Sequence, residues 1–237
     1  MTDRDPVPTR RDGVVRLVFD LDGTLSDPFE GIAASVAHAL AREGLPSADP
    51  ASVAHWIGPP LDELLVGITG VAPGPALDRL VAAYRERYAE RGWAECRPYV
   101  GVADALRALR SEGIALGVCT SKREDFARQV LDLQRIDGLF EFVSGGDVGV
   151  PKSHQLGELL RDGLIDRSSV MVGDRAVDLV AARANGLRGV GVLWGYGDRD
   201  ELEAQEPLAV LAEPHQLASL AGSIGARARP DRGGRAN

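Results

Sequence analysis

The sequence predicts an α/β protein: a doubly wound parallel sheet with a helical segment inserted after its first strand. Three observations predict it. Short apolar runs alternate with helical patterns from about Pro98 to Trp194, as βαβ units require. One further apolar run, VVRLVF at 14–19, stands far ahead of the others. The stretch between them carries helical periodicity only.

The first run is bounded by Gly13 and Asp20 and fits a buried parallel strand. After the turn DLDGTLSD, the apolar residues Ile32, Val36 and Leu40 recur on one helical face. Leu77, Leu80, Val81, Tyr84 and Tyr88 mark a second amphipathic helix, and Gly58-Pro59-Pro60 must break any helix between the two. Val102, Leu106 and Leu109 mark a helix ending near Gly113. IALGVC is then a strand, followed by a helix through Phe126, Val130 and Leu133. FEFVSGG reads as a strand, HQLGELLRDG as a helix, SVMVGD as a strand, and RAVDLVAARANG as a helix closed by Gly186. RGVGVLW is one more strand. The expected organisation is a flexible lead-in (1–13), a core (14–26 and 97–222), a helical cap (27–96) and a flexible tail (223–237).

The 237 residues and 44% hydrophobic content suffice for one or two packed domains. A net charge of -8 argues against nucleic acid as the main partner. It leaves room for a small phosphorylated metabolite in a locally positive pocket. No run approaches the roughly 20 apolar residues of a membrane span. Cys96 and Cys119 are too few for a disulfide framework. A cytoplasmic protein with reduced thiols is expected.

Four stretches carry chemistry. Asp20 and Asp22, two apart just past a strand, can divide labour as nucleophile or metal ligand and as acid and base. Gly23 permits the turn, and Thr24 follows it. Asp174 ends SVMVGD, and Asp178 lies one helical turn later. Such carboxylates suit a hard cation such as Mg2+. Thr120 and Ser121 sit at a strand-to-helix junction, where hydroxyl and N–H groups can cradle phosphate. Lys152 begins a helix and can balance phosphate charge. Taken singly, each stretch is also explained by an ordinary turn, cap or surface lysine.

Their placement joins them: all four follow strands or loops that end on one rim of a parallel sheet. The order DxDGT, Thr, Lys, GDxxxD resembles the haloacid dehalogenase-like hydrolase superfamily, from about Val14 to Leu220. The insert resembles that family's C1-type cap. FDLDGTLSD, IGPPL, VCTSK, MVGDRAVD and GVLWGYG resemble its phosphoglycolate phosphatase-like branch.

The resemblance implies a Rossmann-like core and a magnesium-dependent phosphatase acting on a small phosphate monoester. Phosphoglycolate, a sugar phosphate and a nucleoside monophosphate all suit the branch. Asp20 would be the nucleophile and Asp22 the acid and base. Thr120 and Lys152 would hold the phosphoryl group. Asp20, Asp174 and the Asp22 carbonyl would ligate the metal, with Asp178 supporting them. Gly23, Thr24, Ser121, Trp56, Gly58, Pro59 and Arg123 are candidate phosphate or substrate contacts, and Arg175 a candidate aid to a polar substrate.

Two other readings stay open, a sugar-phosphate mutase on the same core and a non-catalytic phosphate-binding protein. No lysine lies between 27 and 96. That argues against the cap lysine of phosphonate-cleaving relatives and against a mutase-type cap.

Overall fold

The computed structural model describes residues 16–146 and 149–220. The expected lead-in and the tail lie outside the described residues. Elements are numbered in chain order. The strands are β1 (Arg16–Phe19), β2 (Ser26–Asp27), β3 (Arg97–Pro98), β4 (Ala115–Thr120), β5 (Phe142–Gly145), β6 (Val170–Gly173), β7 (Arg188–Val192) and β8 (Ala209–Leu211). Six of them form one parallel sheet in the order β5-β4-β1-β6-β7-β8. The chain runs outward from β1 to β5, then crosses back to β6 beside β1. The carboxyl end of β1 therefore lies at the switch point, where open α/β sheets bind ligands.

Both faces of this sheet are covered, so its strands are apolar at successive positions. Leu17, Phe19, Leu116, Val118, Val170 and Val172 face one way, against α5 (Val102–Ser111) and α6 (Glu124–Leu133). Val18, Cys119 and Met171 face the other way, against α7 (Lys152–Arg161) and α8 (Ala176–Ala184). Side chains alternate across a strand, so neighbouring residues feed two separate cores.

The insert consists of α1 (Phe29–Arg42), α2 (Pro50–His55), α3 (Leu61–Thr69) and α4 (Pro75–Glu90). Ile32, Val36 and Leu40 pack with Leu77, Leu80, Tyr84 and Tyr88 in a third apolar cluster. Phe126 of α6 joins that cluster from the core side. Leaving and returning segments meet as the antiparallel ribbon β2–β3, Ser26 opposite Pro98 and Asp27 opposite Arg97. Gln134 of the core donates to the Ser26 hydroxyl at 2.5 Å, and the Tyr196 hydroxyl donates to Asp27. The ribbon, β8 and α9 (Arg199–Glu203) are additions to the sequence reading. At two to five residues they are too short to show a period.

Candidate active site

The carboxyl ends of β1, β4 and β6 converge because these strands are neighbours in register: Phe19 pairs with Val118 on one side and Val172 on the other. The Asp20 amide extends the ladder by donating to Val172 O at 2.9 Å. Asp20 leaves β1 at this rim, Thr120 ends β4, and Asp174 follows β6. Lys152 and Asp178 come in from α7 and α8. All of these residues are buried, with Asp20, Thr120, Asp174 and Asp178 at most 1% exposed. Elsewhere in a fold this would be a costly set of groups to bury.

The carboxylates of Asp20, Asp174 and Asp178 place one oxygen each within 4.8 Å of one another. Burial, then the neighbouring Asp178 and Asp20, push the Asp174 carboxyl well above the usual range. Burial also raises Asp178, to about 6, although Lys152 opposes it. Two raised acids beside a third carboxylate need a positive charge among them. Lys152 supplies one: its ammonium lies 2.9 Å from Asp20 Oδ1 and pairs with Asp178. Burial lowers Lys152, but the two carboxylates outweigh it and hold the ammonium charged. Asp20 Oδ1 still lacks an aligned hydrogen-bond donor. An all-oxygen, partly unsatisfied acidic cluster fits a hard divalent cation.

The supporting contacts are specific. Thr24 Oγ1 donates to Asp174 Oδ1, and the Tyr196 amide donates to Asp174 Oδ2, each at 2.9 Å. The Arg175 amide donates to Asp178 Oδ2 at 3.1 Å. Gln155 Nε2 reaches Thr120 O at 3.1 Å, and Trp194 Nε1 reaches Thr24 O at 2.9 Å. Gly23 has φ +89, and a Cβ there would stand 2.1 Å from Asp174 Oδ2. Any side chain at Gly23 would displace the cluster.

Asp22 lies apart from the triad, facing the cap. Its carboxylate accepts from Lys122 Nζ at 2.6 Å. Burial raises the Asp22 carboxyl even so. A cavity of about 90 Å3 opens beside it between core and cap, with Pro59, Leu61, Tyr84, Tyr88, Lys122 and Phe126 among its walls. Lys122 was not singled out from the sequence. A signal was available: it is one of two lysines in the chain and stands two residues after Thr120.

Several expected substrate contacts are engaged otherwise. The Thr24 hydroxyl serves Asp174. The Ser121 hydroxyl donates to Gly58 O at 2.9 Å and so ties the cap loop to the core. Arg175 also holds that loop: Nη1 donates to His55 O at 2.8 Å and to Ile57 O at 2.5 Å, while Nε bonds Glu201. At Gly58 (φ +121) a Cβ would meet Arg175 Cγ at 2.8 Å. Gly58 and Pro59 line the cavity, as does Arg123, which is paired with Asp125 and stacked on Phe126. Trp56 is not among the lining residues. Its indole packs on Gly67 of α3, where a Cβ would be 2.1 Å away, so the ring is spent on joining cap helices.

Both cysteines are free thiols, and burial pushes Cys119 up to about 12. No helix among the described residues is long and apolar enough to cross a membrane.

Residues 17–192 match the family model for haloacid dehalogenase-like hydrolases. The chain is 38% identical over 211 residues to a 5'-nucleotidase of Pseudomonas aeruginosa, covering 86% of this chain and 95% of that protein. It is 33% identical to a phosphoglycolate phosphatase of Pseudomonas putida, covering 85% and 77%. Among solved structures, that of the Mycobacterium tuberculosis protein tyrosine kinase A is 33% identical. It superposes with a TM-score of 0.76 over 90% of this chain and 100% of that one.

Proposed function

The chain belongs to the haloacid dehalogenase-like hydrolases, and from that membership we propose a magnesium-dependent phosphatase that cleaves a small phosphate monoester through an aspartyl phosphate on Asp20. The observation that carries this reading is the convergence of Asp20, Asp174, Asp178 and Lys152 at the sheet's switch point, with Asp22 turned toward a separate cavity. One carboxylate thus sits beside the Lys152 ammonium while a second faces the place where a leaving group would lie.

Asp20 attacks phosphorus, forming the O–P bond as the ester oxygen departs. Asp22 gives that oxygen its proton and afterwards takes one from the water that hydrolyses the acyl phosphate. Thr120 and Lys152 hold the phosphoryl oxygens. Asp20, Asp174 and the Asp22 carbonyl are the residues that would hold magnesium, with Asp178 keeping Lys152 and the Arg175 amide in place. The cation supplies charge that offsets the repulsion between a phosphate dianion and a carboxylate nucleophile. The cap walls exclude bulk water, which strengthens these interactions.

The relatives named for phosphoglycolate and for nucleotides make those two ester classes, with sugar phosphates, the substrates to try first. The test is release of inorganic phosphate from such a panel and from p-nitrophenyl phosphate, with and without magnesium. Magnesium-dependent release supports the reading. No release from any ester contradicts it, and phosphate delivered to a tyrosine acceptor instead of water would point to the kinase-like chemistry named for the mycobacterial relative.

A further inference from the structure

The chemistry above uses one of the two lysines. Lys122 is the other, and its side chain is only 6% exposed. It sits on the loop leaving β4, with Nζ 2.6 Å from Asp22 Oδ1 and 5.4 Å from the centroid of the Tyr88 ring. Tyr88 belongs to the cap. It is stacked on Tyr84 at 5.5 Å and set edge-on to Phe126 at 5.3 Å, so its ring is fixed from two sides. One ammonium thus bridges the acid of the core and an aromatic face of the cap.

Burying such a pair is a poor way to gain stability, because desolvating both charges offsets most of their attraction. Fixing a geometry is the better-attested use of such a pair. Asp22 is the group whose geometry matters here. It stands on a turn, at the wall of the cavity that the ester group must enter. A carboxyl there has freedom about its side-chain bonds unless something holds it. A point charge in contact with it, itself braced by a cap ring, does so.

We propose that Lys122 is a positioning residue that holds the Asp22 carboxyl toward the leaving-group oxygen, and that Tyr88 of the cap completes this hold when cap and core meet. The proposal rests on the phosphatase reading, with Asp22 as the acid.

Leaving-group dependence tests it. A nitrophenolate departs without a proton, whereas an alkoxide needs one. The wild-type protein, Lys122→Met, Lys122→Arg and Tyr88→Leu are compared on p-nitrophenyl phosphate and on the best alkyl monoester of the panel, with magnesium. Lys122→Met is expected to lower kcat on the alkyl ester about 100-fold, within the usual range for general acid catalysis. On p-nitrophenyl phosphate it should lower kcat less than about tenfold, with KM little changed on either. Lys122→Arg should recover part of the alkyl activity, and Tyr88→Leu should show the same selective loss in weaker form.

Equal losses on both esters overturn the proposal, since that is what a merely structural lysine gives. A higher KM at unchanged kcat also overturns it, since that is what a direct substrate contact gives. A wild-type protein that hydrolyses p-nitrophenyl phosphate and no alkyl ester overturns it too, and leaves the phosphatase reading standing. A wild-type protein that hydrolyses neither removes the phosphatase reading itself.

Discussion

The core and the cap bury different things. Among the described residues, the core buries Asp20, Asp22, Thr24, Thr120, Lys152, Asp174 and Asp178, and the cap segment buries one polar residue, Ser35. Ser35 spends its hydroxyl on Gly31 O within α1. The cap's interior is otherwise Ile, Val, Leu, Ala and Tyr. The difference teaches a division of labour. Asp20 and Asp174, which must be placed to a fraction of an ångström, stand at the ends of neighbouring strands held in register by backbone hydrogen bonds, and Lys152 and Asp178 enter from the helices packed on that sheet. The cap brings apolar walls, shape and exclusion of water. It is tied to the core by a few polar contacts, chiefly Arg175 and Ser121 on the loop at His55–Gly58.

The largest expected effect is on the core side. Asp20→Asn removes the nucleophile and leaves the fold, so turnover should fall by about four orders of magnitude or more at an unchanged melting temperature. Turnover near wild type would end the division, because the chemistry would then lie elsewhere.

Magnesium comes next, and its effect has a pH sign. Above about pH 4, Asp178, raised to about 6, and Asp174, raised well above the usual range, keep protons in the metal-free fold that the unfolded chain has begun to lose. For Asp178 the contribution to stability is full below its unfolded value near 4 and is lost as pH rises through about 6. A nearby magnesium ion favours the charged form of every acid around it, ligand or not, so it binds better as these acids ionise. At a hundredfold excess over Kd it should stabilise the protein by about 2.7 kcal/mol, or roughly 5–10 °C for a chain of this size. Thermal melts at pH 7.5 should show this shift, and melts at pH 5 a smaller one. An equal shift at both pH values would place the cation away from these acids.

Two cap substitutions sharpen the comparison. Leu61 lines the cavity and Trp56 packs within the cap. Leu61→Ala should change the ratio of kcat/KM between two esters by about tenfold, as loss of pocket methylenes does. Trp56→Ala should instead lower the melting temperature and leave the ratio alone. The reverse pattern would show that the cavity is not where the substrate lies. The smallest effect expected is from Arg175→Ala, which frees the loop that Arg175 holds. A loss of about 1 kcal/mol, seen as roughly fivefold in kcat/KM with an unchanged melting temperature, would fit a tie between cap and core.

The strands at the rim were legible because each is an apolar run closed by a residue of a different kind: Phe19 then Asp20, Cys119 then Thr120, Gly173 then Asp174. The cap helices were legible from their period. What escaped was set by tertiary approach. Lys122 looks like a surface lysine until Asp22, a hundred residues earlier, is folded against it. Thr24 and Ser121 carry hydroxyls that suit phosphate, yet their nearest partners are Asp174 and the Gly58 carbonyl. Trp56, beside the Gly58-Pro59-Pro60 break, invited a role in the pocket. Only Gly67, a residue small enough to seat an indole, shows where it goes. Motif spacing reports which residues share a rim, and side-chain direction is decided by packing.

Passage of phosphorus through Asp20 is open to chemical trapping. The protein is mixed with substrate and magnesium, quenched in acid within one turnover, reduced with borohydride and digested. An acyl phosphate is reduced where an ordinary carboxylate is not. A mass shift is expected on the peptide carrying Asp20, dependent on substrate and absent from Asp20→Asn. A shift on another acidic residue, or phosphate release with no residue modified at any quench time, would contradict it.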